Sequence, residues 1–163
     1  MNTRWIINKE VDKQNVEDLS NVLGIDKNLA TLLVQRGIKN YDEAKDFFRP
    51  SLTHLHDPFL MKDMDKAVER IKKAWENGEK ILVYGDYDVD GTTAVALIYT
   101  YLKNFISKKK ISFYIPDRYD EGYGISYKGI DWAAENGFGL IITLDCGIKA
   151  NEKVEYARER GID

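Results

Sequence analysis

The sequence predicts an α/β fold, in which a parallel sheet flanked by helices is preceded by a small helical N-terminal region. Three short apolar runs, at 81–84, 111–115 and 140–144, alternate with helical patterns in the second half of the chain. Continuous apolar strands separated by helices are typical of a parallel sheet covered on both faces. The first half has only short stretches with apolar residues at helical spacing. We therefore predict a helical region and linker over 1–60 and the sheet-containing domain over 61–163.

Short helices are predicted in the N-terminal region at 16–23, 26–35 and 41–48. Gly24 follows the first of them at the position where a C′ glycine ends a helix. Asn40, with Glu43 three residues later, resembles a capping box at the start of the third. His54 and His56 lie in the proline-bounded loop that follows, and we assign them a structural role rather than a metal site.

The second region opens with a longer amphipathic helix, for which Asp63 is the predicted N-cap. Further helices are predicted between and after the strands: 92–105, a helix capped by Ser126, and 151–160. Residues 162–163 stand where the alternation of strands and helices predicts a fourth strand. We therefore interpret the chain as truncated within its sheet.

The composition predicts a soluble, cytoplasmic protein that does not associate with a membrane. Lys and Arg number 24 against 27 Asp and Glu, a net charge of −3, which argues against a polybasic coat for nucleic acid. It does not exclude an enzyme that binds phosphates locally or through metals. No apolar run approaches the roughly 20 residues that span a bilayer. One cysteine cannot form an internal disulfide, as expected in a reducing compartment.

The strongest local signal is the segment 85–91, Gly-Asp-Tyr-Asp-Val-Asp-Gly, directly after the first strand. Ligands of open α/β sheets bind at the carboxyl ends of strands. Asp86, Asp88 and Asp90 would repel one another there unless cations neutralise them, and oxygen ligands favour Mg²⁺ or Mn²⁺. An EF-hand loop is excluded, because Leu97 stands where its bidentate Glu is required. A solvent-exposed acidic turn is the remaining alternative.

A second acidic signal, Leu-Asp-Cys-Gly at 144–147, follows the third strand. If the first and third strands are neighbours, Asp145 faces the same crevice as the first cluster. The alternative is that Asp145 caps the next helix. Cys146 is interpreted as a small packed side chain, because no histidine is placed to activate it as a nucleophile.

The segment that follows the second strand, 115–124, carries groups suited to a phosphate ligand. Arg118 offers a bidentate fork for phosphate, and Gly122-Tyr123-Gly124 allows close approach of the backbone to a ligand. An ordinary polar crossover loop is the alternative.

These segments resemble motifs of the DHH phosphoesterase superfamily, in the form found in the RecJ exonucleases. Residues 85–91 resemble the first motif, 144–147 the second, and 117–124 the loop between them. The N-terminal half contributes further matches: Trp5, 36–38, 47–50, 55–58, 61–64, Ala67 and 70–71. The resemblance implies a 5′→3′ exonuclease specific for single-stranded DNA, acting in repair and recombination with Mn²⁺ or Mg²⁺. It allows a helicase and a single-strand-binding protein as partners.

Residue by residue, the resemblance implies a metal-ligand set: Asp86, Asp88, Asp90 and Asp145. Asp88, Asp90 and Asp145 would be catalytic in a two-metal hydrolysis of phosphodiester bonds. The substrate-binding residues it implies are Arg118, Gly122, Tyr123 and Gly124. At Tyr84 many relatives have a histidine ligand, a role that here falls to Asp86. The family's Asp-His-His motif would follow Asp163, so we expect the chain to be a quarter to a third of such an enzyme and inactive alone.

Other activities within the superfamily are the alternatives. They are nano-RNA or pAp phosphatases, cyclic dinucleotide phosphodiesterases and family II pyrophosphatases, against which the N-terminal helical half and Glu121-Gly122-Tyr123-Gly124 argue. A non-catalytic DHH scaffold acting in replication is an alternative of a different class. Such a scaffold would usually lose metal carboxylates, whereas all four expected here are present.

Overall fold

The computed structural model describes Arg4 and residues 11–163, so the predicted match at Trp5 lies outside the described residues. The chain divides into two compact units, Met1–Pro58 and Phe59–Asp163. The division predicted from the sequence lies two residues later. Each unit has its own buried core.

The first unit contains helices α1 (Lys13–Leu23), α2 (Lys27–Gln35) and α3 (Tyr41–Phe48). One-turn 3₁₀ helices lie at Pro58–Leu60, across the division between the units, and at Leu52–His54, within the first unit. Its core is formed by small and branched apolar side chains: Val16, Leu19, Ala30, Leu33, Ile38 and Ala44. His54 bonds within its own loop, accepting from the Ser51 amide through Nδ1 and lying 3.7 Å from the Asp46 carboxylate.

Side-chain caps set where the helices of this unit begin. Asp12 accepts hydrogen bonds from the amides of Gln14 and Asn15, so α1 begins three residues before its predicted start. The capping arrangement predicted at α3 is present, because Asn40 Oδ1 accepts from the Glu43 amide at 2.9 Å. The Glu43 carboxylate reaches back one residue further than in a standard capping box, to the Lys39 amide.

The second unit alternates helices with parallel strands. Its elements are α4 (Met64–Glu76), β1 (Lys80–Gly85), α5 (Val89–Leu102), β2 (Ile111–Tyr114), α6 (Tyr127–Glu135), β3 (Phe138–Leu144) and α7 (Asn151–Glu159). The strand order is β2-β1-β3, and both pairings are parallel. The predicted fold class is confirmed, and β1 and β3 are neighbours.

Apolar side chains cover both faces of the sheet, as continuous apolar strands require. Successive residues of β1 point to opposite faces. Ile81 and Val83 lie in one buried cluster with residues of α4 and α5, and Leu82 and Tyr84 lie in another with residues of α6 and α7. The central strand is therefore buried on both sides, which fixes the position of its carboxyl end.

Residues at the end of the chain pair with the outer edge of β3. The Asp163 amide donates to the Gly139 carbonyl at 3.1 Å, and the Ile141 amide donates to the Asp163 carbonyl at 2.8 Å. Ile162 is 1% exposed. This is the hydrogen-bond pattern of a parallel strand, at the place where the sequence predicts the fourth strand.

Asp63 is at the N-cap of α4, as predicted, but its side chain does not cap the helix. It has a left-handed φ of 59° and makes no capping hydrogen bond. Its carboxylate lies 2.7 Å from the Lys66 ammonium group instead. None of the helices in the described part of the chain is long and apolar enough to cross a membrane.

Candidate active site

Asp86 is the first acidic residue of the acidic loop, residues 85–91, which follows β1. Its side chain is 1% exposed, and its Oδ1 atom has no hydrogen-bond partner among the residues that the structure describes. Burying a carboxylate oxygen without a partner costs free energy, unless a cation or a proton satisfies it. This unsatisfied oxygen fits a site that holds a divalent cation.

Asp88 and Asp90 lie where the acidic loop becomes α5, and both are exposed. Asp88 caps the helix, because its Oδ1 accepts from the Gly91 amide at 2.9 Å. The cap explains why α5 begins at Val89 and not at the predicted residue 92. Asp90 stands in the first helical turn, where the helix dipole favours a negative charge.

The two glycines of the acidic loop allow β1 and α5 to approach closely. A Cβ atom at Gly85 would lie 2.3 Å from Val95 Cγ2, and one at Gly91 would lie 2.5 Å from the Asp86 carbonyl oxygen. Neither position can hold a side chain without displacing its surroundings. The glycines therefore hold the Asp86 backbone against the start of α5.

Asp145 directly follows β3, the strand next to β1. We call residues 144–147 the Asp145 turn. Asp145 is exposed and has a left-handed φ of 56°. The alternative that Asp145 caps a helix is wrong, since α7 begins at Asn151 and has Ala150 at its N-cap. Partial desolvation, followed by the charges of Asp88, Asp90 and Asp86, raises the pKa of the Asp145 carboxyl group. The negative charges of the acidic loop thus act on the Asp145 carboxyl group.

The carboxylates nevertheless do not form a closed set of ligands. Across Arg4 and residues 11–163, no three His, Cys, Asp or Glu side chains are arranged to hold a metal ion. Like charges at one sheet edge repel each other unless a cation lies between them. The strand order brings Asp86, Asp88, Asp90 and Asp145 to the same edge, but no three of them are arranged as metal ligands.

Arg118 lies beside the acidic loop. Its guanidinium carbon is 5.2 Å from the centre of the Tyr87 ring, a cation–π contact. The loop around it is a tight turn, in which Asp117 Oδ1 accepts from the amides of Tyr119 and Asp120 at 2.8 and 3.0 Å. The segment after β2 therefore contacts the acidic loop through Arg118 and Tyr87.

The Gly-Tyr-Gly segment lies beside the Asp145 turn. Gly122 and Gly124 have left-handed φ angles of 76° and 78°, which favour glycine. Tyr123 is 67% exposed, and its hydroxyl donates to the Asp145 carbonyl at 3.4 Å. A cavity of about 690 Å³ opens here, within the size range of small-molecule sites. Its lining includes Tyr123, Gly124, Asp145, Gly147, Lys149 and Lys153.

Cys146 packs beneath this segment, 3.7 Å from where a Cβ of Gly124 would stand. Burial, with the charge of Asp86 as a further cause, raises the pKa of its thiol to about 11. A thiol with that pKa stays protonated near neutral pH, in agreement with the predicted packing role.

Sequence reasoning missed the roles of Tyr84 and Glu121. The Tyr84 hydroxyl is buried and donates to the Gly124 carbonyl at 3.2 Å. Burial raises its pKa, although hydrogen bonds with Ser126 oppose this. Glu121 accepts from the Tyr114 hydroxyl and the Asp117 amide at 3.0 and 2.9 Å. The position of Tyr84 within an apolar strand could have indicated its hydrogen bonds, because a buried hydroxyl group needs a partner.

The parallel sheet, with carboxylates that follow the neighbouring strands β1 and β3, defines an α/β protein with an acidic edge. Residues 80–163 match the family model described as "DHH family, N-terminal domain". The chain belongs to the DHH family.

Curated relatives agree with this assignment and with the resemblance to RecJ. The chain is 40% identical over 160 residues to the single-stranded-DNA-specific exonuclease RecJ of Bacillus subtilis (strain 168), covering 98% of this chain and 20% of that protein. It is 33% identical over 134 residues to the RecJ of Escherichia coli (strain K12), covering 82% of this chain and 22% of that one. The chain thus spans about a fifth of these relatives. This is less than the quarter to a third expected.

Solved structures of RecJ have the same fold. A crystal structure of exonuclease RecJ bound to manganese superposes with a TM-score of 0.57 at 30% identity, covering 63% of this chain and 26% of that one. RecJ from Thermus thermophilus in complex with Mn²⁺ superposes with a TM-score of 0.63 at 23% identity, covering 93% of this chain and 20% of that one. The second likeness shows the fold alone.

Proposed function

We propose that this chain is part of a single-stranded-DNA-specific 5′→3′ exonuclease that acts in DNA repair and recombination. The observation that carries the proposal is the buried Oδ1 of Asp86, which has no partner within Arg4 and residues 11–163 and lies at the edge shared with Asp145. Its chemistry calls for a cation, and the RecJ relatives are exonucleases by name. Single-stranded DNA is the substrate, a helicase and a single-strand-binding protein are the expected partners, and the cytoplasm is the expected location.

The residues that would hold divalent metal are Asp86, Asp88, Asp90 and Asp145, and hard carboxylate oxygens suit Mn²⁺ or Mg²⁺. Bound in a pair, such ions would activate a water and stabilise the leaving oxygen of a phosphodiester. The protein's own part is to place these carboxylates. Asp88 Oδ1 already accepts from the Gly91 amide, which leaves Oδ2 to face a ligand.

The substrate contacts follow from the groups beside the acidic loop. Arg118, held over the Tyr87 ring, would bind a backbone phosphate through its guanidinium fork. The exposed ring of Tyr123 would stack on a base, as aromatic side chains do in single-strand binding sites. Gly122 and Gly124 would let the strand approach the backbone closely.

The test is hydrolysis by the longer protein that contains this chain, with Asp88→Asn as the variant. Asn is as good an N-cap as Asp, so α5 keeps its start while the site loses a negative charge. We expect turnover of 5′-labelled single-stranded DNA with Mn²⁺ to fall roughly a hundredfold or more. Asp26→Asn, at the N-cap of α2, is the matched control and should leave turnover unchanged.

Full turnover by the Asp88→Asn variant would overturn the proposal. The products discriminate further. An exonuclease releases nucleotides one after another from a long single strand. A protein that cleaves only nano-RNA, pAp or a cyclic dinucleotide would instead leave the long strand intact.

A further inference from the structure

The carboxylate of Glu121 collects hydrogen bonds from three separate parts of the second unit. The Tyr114 hydroxyl, at the end of β2, lies 3.0 Å from both of its oxygens. The Asp117 amide donates to Oε1 at 2.9 Å, and the Ser126 hydroxyl donates to Oε2. A single side chain therefore joins β2, the turn that carries Arg118 and the start of α6.

Ser126 extends these contacts to the central strand. Its hydroxyl oxygen accepts from the Gly129 amide at 2.8 Å and so caps α6. Its own amide donates to the buried Tyr84 hydroxyl at 3.1 Å, and that hydroxyl donates to the Gly124 carbonyl. The chain of hydrogen bonds from Glu121 thus ends at the glycine segment next to Asp145.

The two tyrosine rings in this network have little freedom to move. The rings of Tyr84 and Tyr114 stack with their centres 5.2 Å apart. Gly129 lies against them, because a Cβ there would be 2.7 Å from Tyr84 Cε2 and 3.1 Å from Tyr114 Cε1. The hydroxyls that bond with Glu121 and Gly124 are consequently held by tight packing.

Each end of the network faces a part of the candidate active site. At the Asp117 end, Arg118 lies over Tyr87 of the acidic loop. At the Gly124 end, the Tyr123 hydroxyl donates to the Asp145 carbonyl. Neither Glu121 nor Ser126 has a metal or substrate role in the proposed function.

We propose that Glu121 is a positioning residue, whose carboxylate holds the segments 117–120 and 122–124 against the acidic loop and the Asp145 turn. The consequence for substrate rests on the proposed function, whereas the consequence for local structure does not. Glutamine has the same shape as glutamate but one accepting oxygen in place of two. Glu121→Gln therefore turns an amide group toward a donor and breaks the shared set of bonds.

The experiment is hydrogen exchange on this chain, comparing Glu121→Gln with Glu79→Gln. The control makes the same chemical change at a half-buried glutamate, which pairs with Arg70 away from the candidate active site. We expect Glu121→Gln to speed amide exchange at 117–126 and 144–147 at least about tenfold. Glu79→Gln should leave the exchange rates of both segments unchanged, even if it lowers the thermal midpoint as much as Glu121→Gln does.

Two further variants keep the inference testable if Glu121→Gln does not fold. Tyr114→Phe removes one donor to Glu121 and keeps the stacked ring, so exchange should rise at 117–126. Tyr123→Phe removes only the hydroxyl that bonds to Asp145, so exchange should rise at 144–147 and stay constant at 117–121. Unchanged exchange at 117–126 in Glu121→Gln, or in Tyr114→Phe if Glu121→Gln does not fold, would overturn the role of Glu121.

Mn²⁺ affinity provides a readout that a purely structural role would not move selectively. Groups that orient metal ligands typically affect affinity 10- to 100-fold, so Glu121→Gln should weaken Mn²⁺ binding about tenfold. Glu79→Gln should not. Equal weakening by both variants would reduce Glu121 to a structural residue. If the unchanged chain binds no Mn²⁺, that result counts against the proposed function, and the exchange data decide the role of Glu121 separately.

Discussion

At the scale of single residues, the acidic edge combines folding and chemistry in the same side chains. Asp88 caps α5 with one oxygen and is one of the four carboxylates proposed to hold metal. Asp86 is buried with one oxygen that no described residue satisfies, and Asp145 has a left-handed backbone conformation that glycine would adopt more easily. Such local losses of folding free energy are typical of sites that bind a ligand.

Removing one negative charge from the acidic loop should separate the effect on folding from the effect on metal binding. Asp90→Asn removes one of four repelling charges, while it gives up a favourable charge in the first turn of α5. We expect the metal-free thermal midpoint to stay the same or rise, and the increase produced by Mn²⁺ to shrink. Asp65→Asn, in the first turn of α4, is the matched control, and it should leave the Mn²⁺ effect intact. An unaltered Mn²⁺ effect in Asp90→Asn would remove Asp90 from the ligand set.

Arg118 allows a second test at this scale. Arg118→Lys keeps the positive charge but loses the planar fork and weakens the contact with Tyr87. We expect the longer protein to bind single-stranded DNA roughly threefold to tenfold more weakly at fixed salt. Arg158→Lys, at an exposed pair with Glu155, is the control. If Arg118→Lys and the unchanged protein bind single-stranded DNA with equal affinity, Arg118 does not bind a phosphate through its fork.

At the scale of secondary-structure elements, α4 is attached to the sheet by an ion pair at the edge opposite the acidic loop. Arg70 lies 2.9 Å from Glu79, in the connection to β1, and 2.8 Å from the Asp163 carboxylate. The same guanidinium reaches the Gly139 carbonyl at 3.4 Å. These contacts tie α4 to both β1 and β3.

This ion pair makes the stability of the second unit depend on pH. The hydrogen bond from Arg70 is the largest influence on Glu79 and lowers its pKa below the usual 4.5, so the stabilisation is present above pH 4.5 and is lost as the pH falls through the lower, folded-state pKa. Glu79→Gln should cost about 1 kcal/mol at pH 7. Denaturant unfolding should show the difference from the unchanged chain disappear in acid. A difference that persists at pH 2 would contradict this account.

The elements differ in how well the sequence predicts them. All three strands were predicted, because buried parallel strands are continuous apolar runs in the sequence. The starts of α1 and α5 were placed three residues late, since Asp12 and Asp88 cap from polar segments that carry no apolar periodicity. Asp63 was predicted as a cap from its residue type, yet its left-handed backbone turns the carboxylate toward Lys66. The sequence groups the four site carboxylates together on the condition that β1 and β3 are neighbours. It does not predict the contacts of Glu121, because these depend on tertiary packing.

At the scale of the whole molecule, the chain spans about a fifth of its RecJ relatives. The described residues hold no closed group of metal-binding side chains. A two-metal mechanism needs both ions at a fixed separation, because the attacking and leaving oxygens are held together. Carboxylates that remain apart do not impose that separation.

We therefore expect the 163-residue chain to release no nucleotides from 5′-labelled single-stranded DNA with Mn²⁺. The longer protein should do so under the same conditions. The Asp88→Asn form of the short chain serves as the blank. Release by the unchanged chain, absent from the blank, would show that the first two motifs suffice for catalysis.

The tight contact at Gly91 has a consequence for how this segment tolerates random mutation. A library selected only for folded, protease-resistant chains should retain Asn, Ser or Thr at position 88, because each of them caps a helix. The same library should retain glycine alone at position 91, where any side chain meets the Asp86 backbone. The same library, placed in the longer protein and selected for nuclease activity, should retain only Asp at position 88 and only glycine at position 91. Comparing the two selections would thus separate the residues that the fold demands from those that the chemistry demands.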